Sequence, residues 1–171
     1  MTVWERMLSG QIPSGVYRLP ARTRSASVQR AVEPSGWRVF HIDGRAISDK
    51  STFLQAAADA LQFPRYVGKN WDAFEEALRD LDWVPATGYI LILSHVGRFA
   101  RSADWPVLRT ILNEVCRYWQ TQQTPVYVLL GDIPDAARLS YPSTCKFYPD
   151  RHGAVWGCSF FFPRERAGID G

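Results

Sequence analysis

No apolar run in the sequence approaches the roughly 20 residues that a membrane-spanning helix requires. The N-terminus, from Met1 to Met7, lacks a basic start followed by an apolar stretch, so it does not read as a secretory signal. Cysteine is scarce. The 171 residues include 3, Cys116, Cys145 and Cys158, an odd number and too few for a disulfide framework. Cys116 falls among apolar residues of an expected helix and reads as a small buried hydrophobe. Cys145, His152 and Cys158 do not complete a zinc set, because no C-x2-C pair exists and a fourth ligand is missing. No metal and no cofactor are expected. There is no glycine-rich phosphate loop, no internal repeat and no low-complexity tract. These absences together lead to the expectation of a cytoplasmic protein.

The composition is ordinary for a globular protein, with 46% hydrophobic and 22% charged residues. The formal net charge is +3, which at first suggests an anionic partner. Its distribution argues otherwise. Residues 1–36 carry five basic and two acidic side chains, residues 37–132 ten and eleven, and residues 133–171 five and four. The excess lies mainly near the N-terminus, where Arg18, Arg22, Arg24 and Arg30 are scattered along the chain rather than clustered. Direct nucleic-acid binding is therefore not the expected role, and non-specific RNA affinity is weakly supported.

The middle of the chain alternates between two hydrophobic periods. Trp37 to Ile42 is rich in strand formers and ends at Asp43-Gly44, a turn signal. Ser48 or Asp49 can cap a following helix, in which Phe53, Leu54, Ala57 and Leu61 recur at helical spacing, and Pro64 ends it. A short loop leads to Asn70, a good N-cap, and a second helix is expected from about Trp71 to Leu81. Phe74, Ala77, Leu78 and Leu81 form its apolar stripe. Tyr89 to Leu93 and Val126 to Leu130 are continuous apolar runs, as expected of strands covered on both faces. Between them lies a long helix from about Trp105 to Trp119, with Pro106 tolerated in its first turn. The implied fold class is α/β: a small parallel sheet of three core strands, extended at its edges, with helices packed on it. Gly15 to Leu19 reads as a further strand and Ser25 to Val32 as a short helix. Val155 to Phe162 is too apolar to be free in solvent and is expected to dock as an edge strand, while Arg166 to Gly171 is expected to fray. The expected organisation is an N-terminal extension, 1–36, a domain, 37–132, and a C-terminal extension, 133–171.

The most informative segment runs from Phe63 to Leu81. Asp72, Glu76 and Asp80 lie at i, i+4 and i+8, so a helix places their carboxylates along one face. Glu76 is two residues from Phe74, about 200° around the helix, so the acidic stripe lies opposite the apolar one. Like charges at this spacing cost roughly 0.2–0.5 kcal/mol per pair. The plain reading is a solvated face: the helix dipole favours Asp72 and partly Glu75, and Arg79 can pair with Glu75 or Glu76. The dipole accounts less well for Glu76 and Asp80, because its influence fades after the first turn. Trp71 fits either the core or an interface. His41 and His95 read as structural, since neither has an evident local acid–base partner.

In this segment Pro64, Tyr66, Gly68, Asn70-Trp71-Asp72-Ala73 and Glu76 follow one another in an order that resembles the signature of the barstar family, intracellular inhibitors of barnase-type ribonucleases. The resemblance covers roughly residues 37–131. It implies a barstar-like three-layer fold and a monomer that catalyses nothing. It also implies a partner, a secreted barnase-like ribonuclease, whose cationic cleft would accept Asp72 and Glu76 as phosphate mimics. Tyr66 would pack against the cleft and Gly68 would allow close backbone approach. The expected partner-binding set is Tyr66, Gly68, Asn70, Trp71, Asp72, Glu75, Glu76 and Asp80. The chain departs from the family's best-known member at Glu76, where that member has Asp, at Glu75, where it has an aromatic contact, and at Lys69, which adds a positive charge beside the glycine.

Two other functions compete with inhibition. One is a small α/β enzyme using Asp72 and Glu76 as an acid/base pair, although the sequence offers no nucleophile, metal cluster or phosphate loop to complete a site. The other is an interaction module of the same fold with a different partner, governed by the flanking segments.

Overall fold

The computed structural model describes residues 2–19, 22–133, 145–150 and 153–158. Its centre is a pair of strands, β3 (Tyr89–Ser94) and β4 (Val126–Leu130), whose apolar runs are buried on both faces. Beside them lie β2 (Arg38–Asp43), paired in parallel with β3, and β1 (Gly15–Arg18), paired in parallel with β4. The sheet continues with β6 (Gly153–Cys158), antiparallel to β1, and β5 (Cys145–Asp150), antiparallel to β6. The strand order is β2-β3-β4-β1-β6-β5. The three expected core strands are thus extended to four parallel ones, Gly15 to Arg18 adding to the far side of β4 as the expected further strand. The segment expected as an edge strand supplies β6, which lies one strand in from the edge, with β5 outermost. Phe160 to Phe162 and the end from Arg166 lie outside the described residues, as does His152.

Alternation along the strands divides the core in two. Tyr89, Leu91, Leu93, Val126, Val128 and Leu130 face α3 (Lys50–Ala60), α4 (Trp71–Asp80) and α5 (Trp105–Thr121). Ile90, Ile92, Tyr127 and Leu129 face α1 (Val3–Leu8) and α2 (Ser25–Val32), through Met7, Val28 and Val32. The result is three layers, helix–sheet–helix. Tyr127 fastens the second helical layer. Its buried hydroxyl donates to the Ile12 carbonyl at 2.6 Å, with the Met7 carbonyl at 3.2 Å, and its ring stacks on Trp37 at 5.8 Å.

Local signals explain where the helices begin and end. Asp49 caps α3 by accepting from the Thr52 N–H at 2.9 Å, and Thr52 reaches back to complete a capping box. The helix stops at Ala60, before Pro64. Asn70 caps α4, its side-chain oxygen accepting from the Ala73 N–H at 2.8 Å. α4 ends on Leu81 in the left-handed conformation, φ 47°, a position glycine usually fills. Leu81 is held there by burial in the core and by its N–H bond to the Ala77 carbonyl. Two indoles satisfy carbonyls near these helix ends: Trp83 donates to Leu61 and Trp119 donates to Leu78.

Candidate functional site: the acidic face of α4

Phe74, Ala77 and Leu78 bury one side of α4, and the pattern of the sequence places the acids opposite. Asp72, Glu76 and Asp80 are exposed. Among the described residues, the Asp72 and Glu76 carboxylates have no ion pair or hydrogen bond. Partial desolvation and the neighbouring Asp82 carboxylate hold Asp80 above the usual carboxylate range.

Glu75 behaves differently. It points toward α5, half-buried, and its carboxylate is taken by Arg79 one turn along. Arg79 also lies 3.7 Å from Glu114 on α5 and sits over the Tyr118 ring at 5.5 Å. Glu75 is thus neutralised within the protein, while Asp72 and Glu76 are not.

Two other cations near α4 are also held back. Lys69, which the sequence places beside Gly68, donates to the Gln55 side-chain oxygen on α3 at 2.8 Å, and the Gln55 amide donates in turn to Asp59. Lys50 lies over the Trp71 ring, 5.7 Å from its centroid. Trp71 itself is half-buried and packs on Phe53 and Phe74, so it serves the core while leaving part of its surface at the start of α4. Tyr66 is 77% exposed, far more than a tyrosine needed for the core. A Cβ at Gly68 would come within 3.2 Å of the Asn70 amide nitrogen and 3.4 Å of Ala73, so the glycine keeps room for the N-cap.

A second polar cluster, which the sequence did not reveal, lies at the carboxyl ends of β2, β3 and β4. His95 Nδ1 is 3.2 Å from Asp43, its Nε2 is 3.1 Å from the Arg45 guanidinium, and Asp132 is 3.9 Å away. His41 shares hydrogen bonds with Ser94 at 2.7 Å and with Ser25, on α2, at 3.4 Å. Burial pushes the His41 imidazole below its ordinary value, opposed by the Asp43 charge. The Arg45 backbone N–H, and then the Arg45 and His95 side chains, hold the Asp43 carboxyl below the usual range. The two histidines do have partners, but these come from strands about fifty residues away in sequence (|i−j| = 52 and 53), which no local pattern announces. Both His95 and Asp132 adopt positive φ, 54° and 56°. Among the described residues no group of three or more His, Cys, Asp or Glu is placed to hold a metal ion. No helix among them is long and apolar enough to cross a membrane.

Fold and site together define a small three-layer α/β protein that presents a helix with free carboxylates on its outer face. The family model of Barstar (barnase inhibitor) matches residues 37–131, more than half of the chain, and the protein belongs to the Barstar family. No curated protein matches it. Among solved structures, it is similar to the Aeropyrum pernix ORC2 protein in its ADPNP–ADP complexes, at 16% identity and a TM-score of 0.51, over 78% of this chain and 38% of that one. It is also similar to a structure of Drosophila ORC bound to DNA, at 17% identity and a TM-score of 0.45, over 68% of this chain and 31% of that one. The chain thus spans about a third of the length of these structures, and at 16% identity the ORC2 likeness is one of fold alone.

Proposed function

We propose that the protein is an intracellular, non-catalytic inhibitor of a secreted barnase-type ribonuclease, and that α4 enters the enzyme's active site. One observation carries this reading: Asp72 and Glu76 stand exposed and unpaired among the described residues, while nearby Lys50, Lys69 and Arg79 are engaged elsewhere. A ribonuclease cleft is built to bind phosphate with cationic groups. Two carboxylates one turn apart on a rigid helix can accept charge-assisted hydrogen bonds from those groups. Because neither carboxylate has an ion pair to break among the described residues, binding exchanges their water directly for the enzyme's donors.

Tyr66, Gly68, Asn70 and Trp71 support the face from its N-terminal side. Asn70 fixes the start of the helix, Tyr66 offers an exposed ring, and Trp71 adds the uncovered part of its indole. Asp80 extends the acidic stripe, and Glu75 contributes through its pairing with Arg79, which braces α4 against α5. The inhibitor would act as a monomer in the cytoplasm, protecting the producing cell from its own nuclease.

The test is inhibition of a panel of purified barnase-type ribonucleases by the wild-type protein, Asp72→Ala and Glu76→Ala. Each substitution is expected to weaken binding to the cognate enzyme by about 2–5 kcal/mol. Thermal stability should barely change. Equal inhibition by wild type and both variants, or inhibition of no enzyme in the panel, would refute the reading.

A further inference from the structure

The three cysteines occupy two very different places in the fold. Cys116 lies on α5, buried in the core, and desolvation pushes its thiol up to about 12. Such a thiol stays protonated and inert, because the thiolate is the reactive form. Cys145 and Cys158 lie at the outer end of the strand order, where β5 is the edge of the sheet. Cys145 opens β5 and Cys158 closes β6. The antiparallel register sets them opposite one another, and the pairing runs without a bulge from there to Asp150 and Gly153.

The phase of the register adds to this. In an antiparallel pair, opposed residues alternate between positions that exchange both backbone hydrogen bonds and positions that exchange none. Pro149, opposite Ala154, has no N–H to give, so it belongs to a pair of the second kind. Cys145 lies four residues before Pro149 on the same strand, and the alternation repeats every two residues. The cysteines therefore also form a non-hydrogen-bonded pair. Opposed Cα atoms at such pairs lie about 4.5 Å apart, within the span of about 4.4–6.8 Å that a disulfide bridges.

We propose that Cys145 and Cys158 are a reversible redox pair, which closes into a cross-strand disulfide and clasps the β5–β6 edge. The oxidant is a small-molecule disulfide of the glutathione type. One cysteine thiolate attacks it, forming a mixed disulfide and releasing one glutathione thiolate. The cysteine opposite then attacks the protein sulfur of that mixed disulfide and releases the second glutathione thiolate. Two protein thiols become one S–S bond, their two electrons reduce the oxidant, and their two protons pass to the departing thiolates. A single pair of this kind suits a reducing compartment, where it stays open until small disulfides accumulate. Its effect falls on the edge of the sheet. Gly157, next to Cys158, pairs with Tyr17 of β1, so β6 joins β5 to the parallel strands. With the bridge open, β5 can part from β6; with it closed, it cannot.

The experiment titrates the purified full chain with oxidised against reduced glutathione, quenches with iodoacetamide and maps linkages by trypsin and mass spectrometry. Trypsin puts the three cysteines on separate peptides, 110–117, 139–146 and 152–164, so each linkage is read directly. The native chain should yield 139–146 joined to 152–164, two hydrogens lighter, with Cys116 unlinked. In urea, Cys116 should enter linkages as well. Cys145→Ser combined with Lys146→Cys moves the first thiol by one residue, to the other face of the strand. Bridging of that variant to Cys158 should need at least about tenfold more oxidised glutathione. Absence of the 139–146 to 152–164 linkage at every ratio, or glutathione held on Cys145 or Cys158 throughout, would overturn the proposal. So would linkage through Cys116 in the native chain, bridges between chains on a non-reducing gel, or equal bridging by the shifted variant. No nuclease enters these readouts, so the result stands apart from the role given to α4.

Discussion

Arg79 on α4 and Glu114 on α5 lie 3.7 Å apart, and the same guanidinium holds Glu75 and covers the Tyr118 ring. This bracket fixes the acidic helix against its neighbour. Its strength is limited, because the Arg79 side chain is 38% exposed and its buried Nε has no acceptor. Arg79→Ala should cost about 1–2 kcal/mol, the sum expected of a partly exposed ion pair and a cation–π contact. Urea denaturation measures it. Nuclease inhibition should fall less than in the Asp72 or Glu76 variants, since Arg79 acts through α4.

Burial pushes both the Cys116 thiol and the Tyr127 hydroxyl up to about 12. Both groups hold their proton more tightly folded than unfolded. Their contribution is complete below the unfolded values of 9.0 and 10.0 and is lost as pH rises toward about 12. Stability should therefore fall in alkali, each group adding about 1.4 kcal/mol per pH unit within its window. Tyr127→Phe should remove one proton from that slope. Denaturant midpoints from pH 8 to 11 give the comparison.

Tyr127→Phe should also loosen the N-terminal segment, because the Ile12 and Met7 carbonyls lose their donor. The expected loss is about 1 kcal/mol. Hydrogen exchange should quicken in residues 3–18 before it changes in α4.

His41 supplies an acid-side dependence of opposite sign. Its folded value lies below 6.5, so its contribution is present above that pH and is lost as pH falls through the folded value. His41→Gln should flatten the stability profile between pH 5 and 7. An unchanged profile would mean that burial does not hold the His41 imidazole below its ordinary value.

Gly44 sits where the loop after β2 meets the end of β3. A Cβ there would lie 2.7 Å from the His95 carbonyl oxygen and 2.8 Å from that of Ser94. Backbone atoms cannot step aside as a flexible side chain can, so Gly44→Ala should cost about 1–3 kcal/mol. A thermal melt of the variant tests this.

Much of this architecture was legible because its signals are local. Asn70 and the Phe74–Ala77–Leu78–Leu81 stripe set α4, and the two apolar runs from Tyr89 and Val126 set the buried strands. Pairing of Arg79 with Glu75 follows from their spacing of four residues. Other features depend on distant segments meeting. Nothing in Gly15 to Arg18 says that it lies beside β4, and nothing near His95 announces Asp43. Lys69 reads in sequence as an added positive charge beside Gly68, yet it folds onto Gln55, fourteen residues earlier (|i−j| = 14). Leu81 occupies a left-handed position without glycine because the core, rather than backbone preference, decides its place.

The anchoring of Tyr127 to Ile12 and Met7 bears on how this chain can be shortened. The matched region, 37–131, contains Ile90, Ile92, Tyr127 and Leu129, but the side chains that roof them, Met7, Val28 and Val32, come from before it. A fragment cut to the family's limits would carry a greasy slab open to water and would clump. Deletion of the first 36 residues is therefore expected to cost solubility first, whatever α4 binds, so the two parts belong together in any shortened version of the chain.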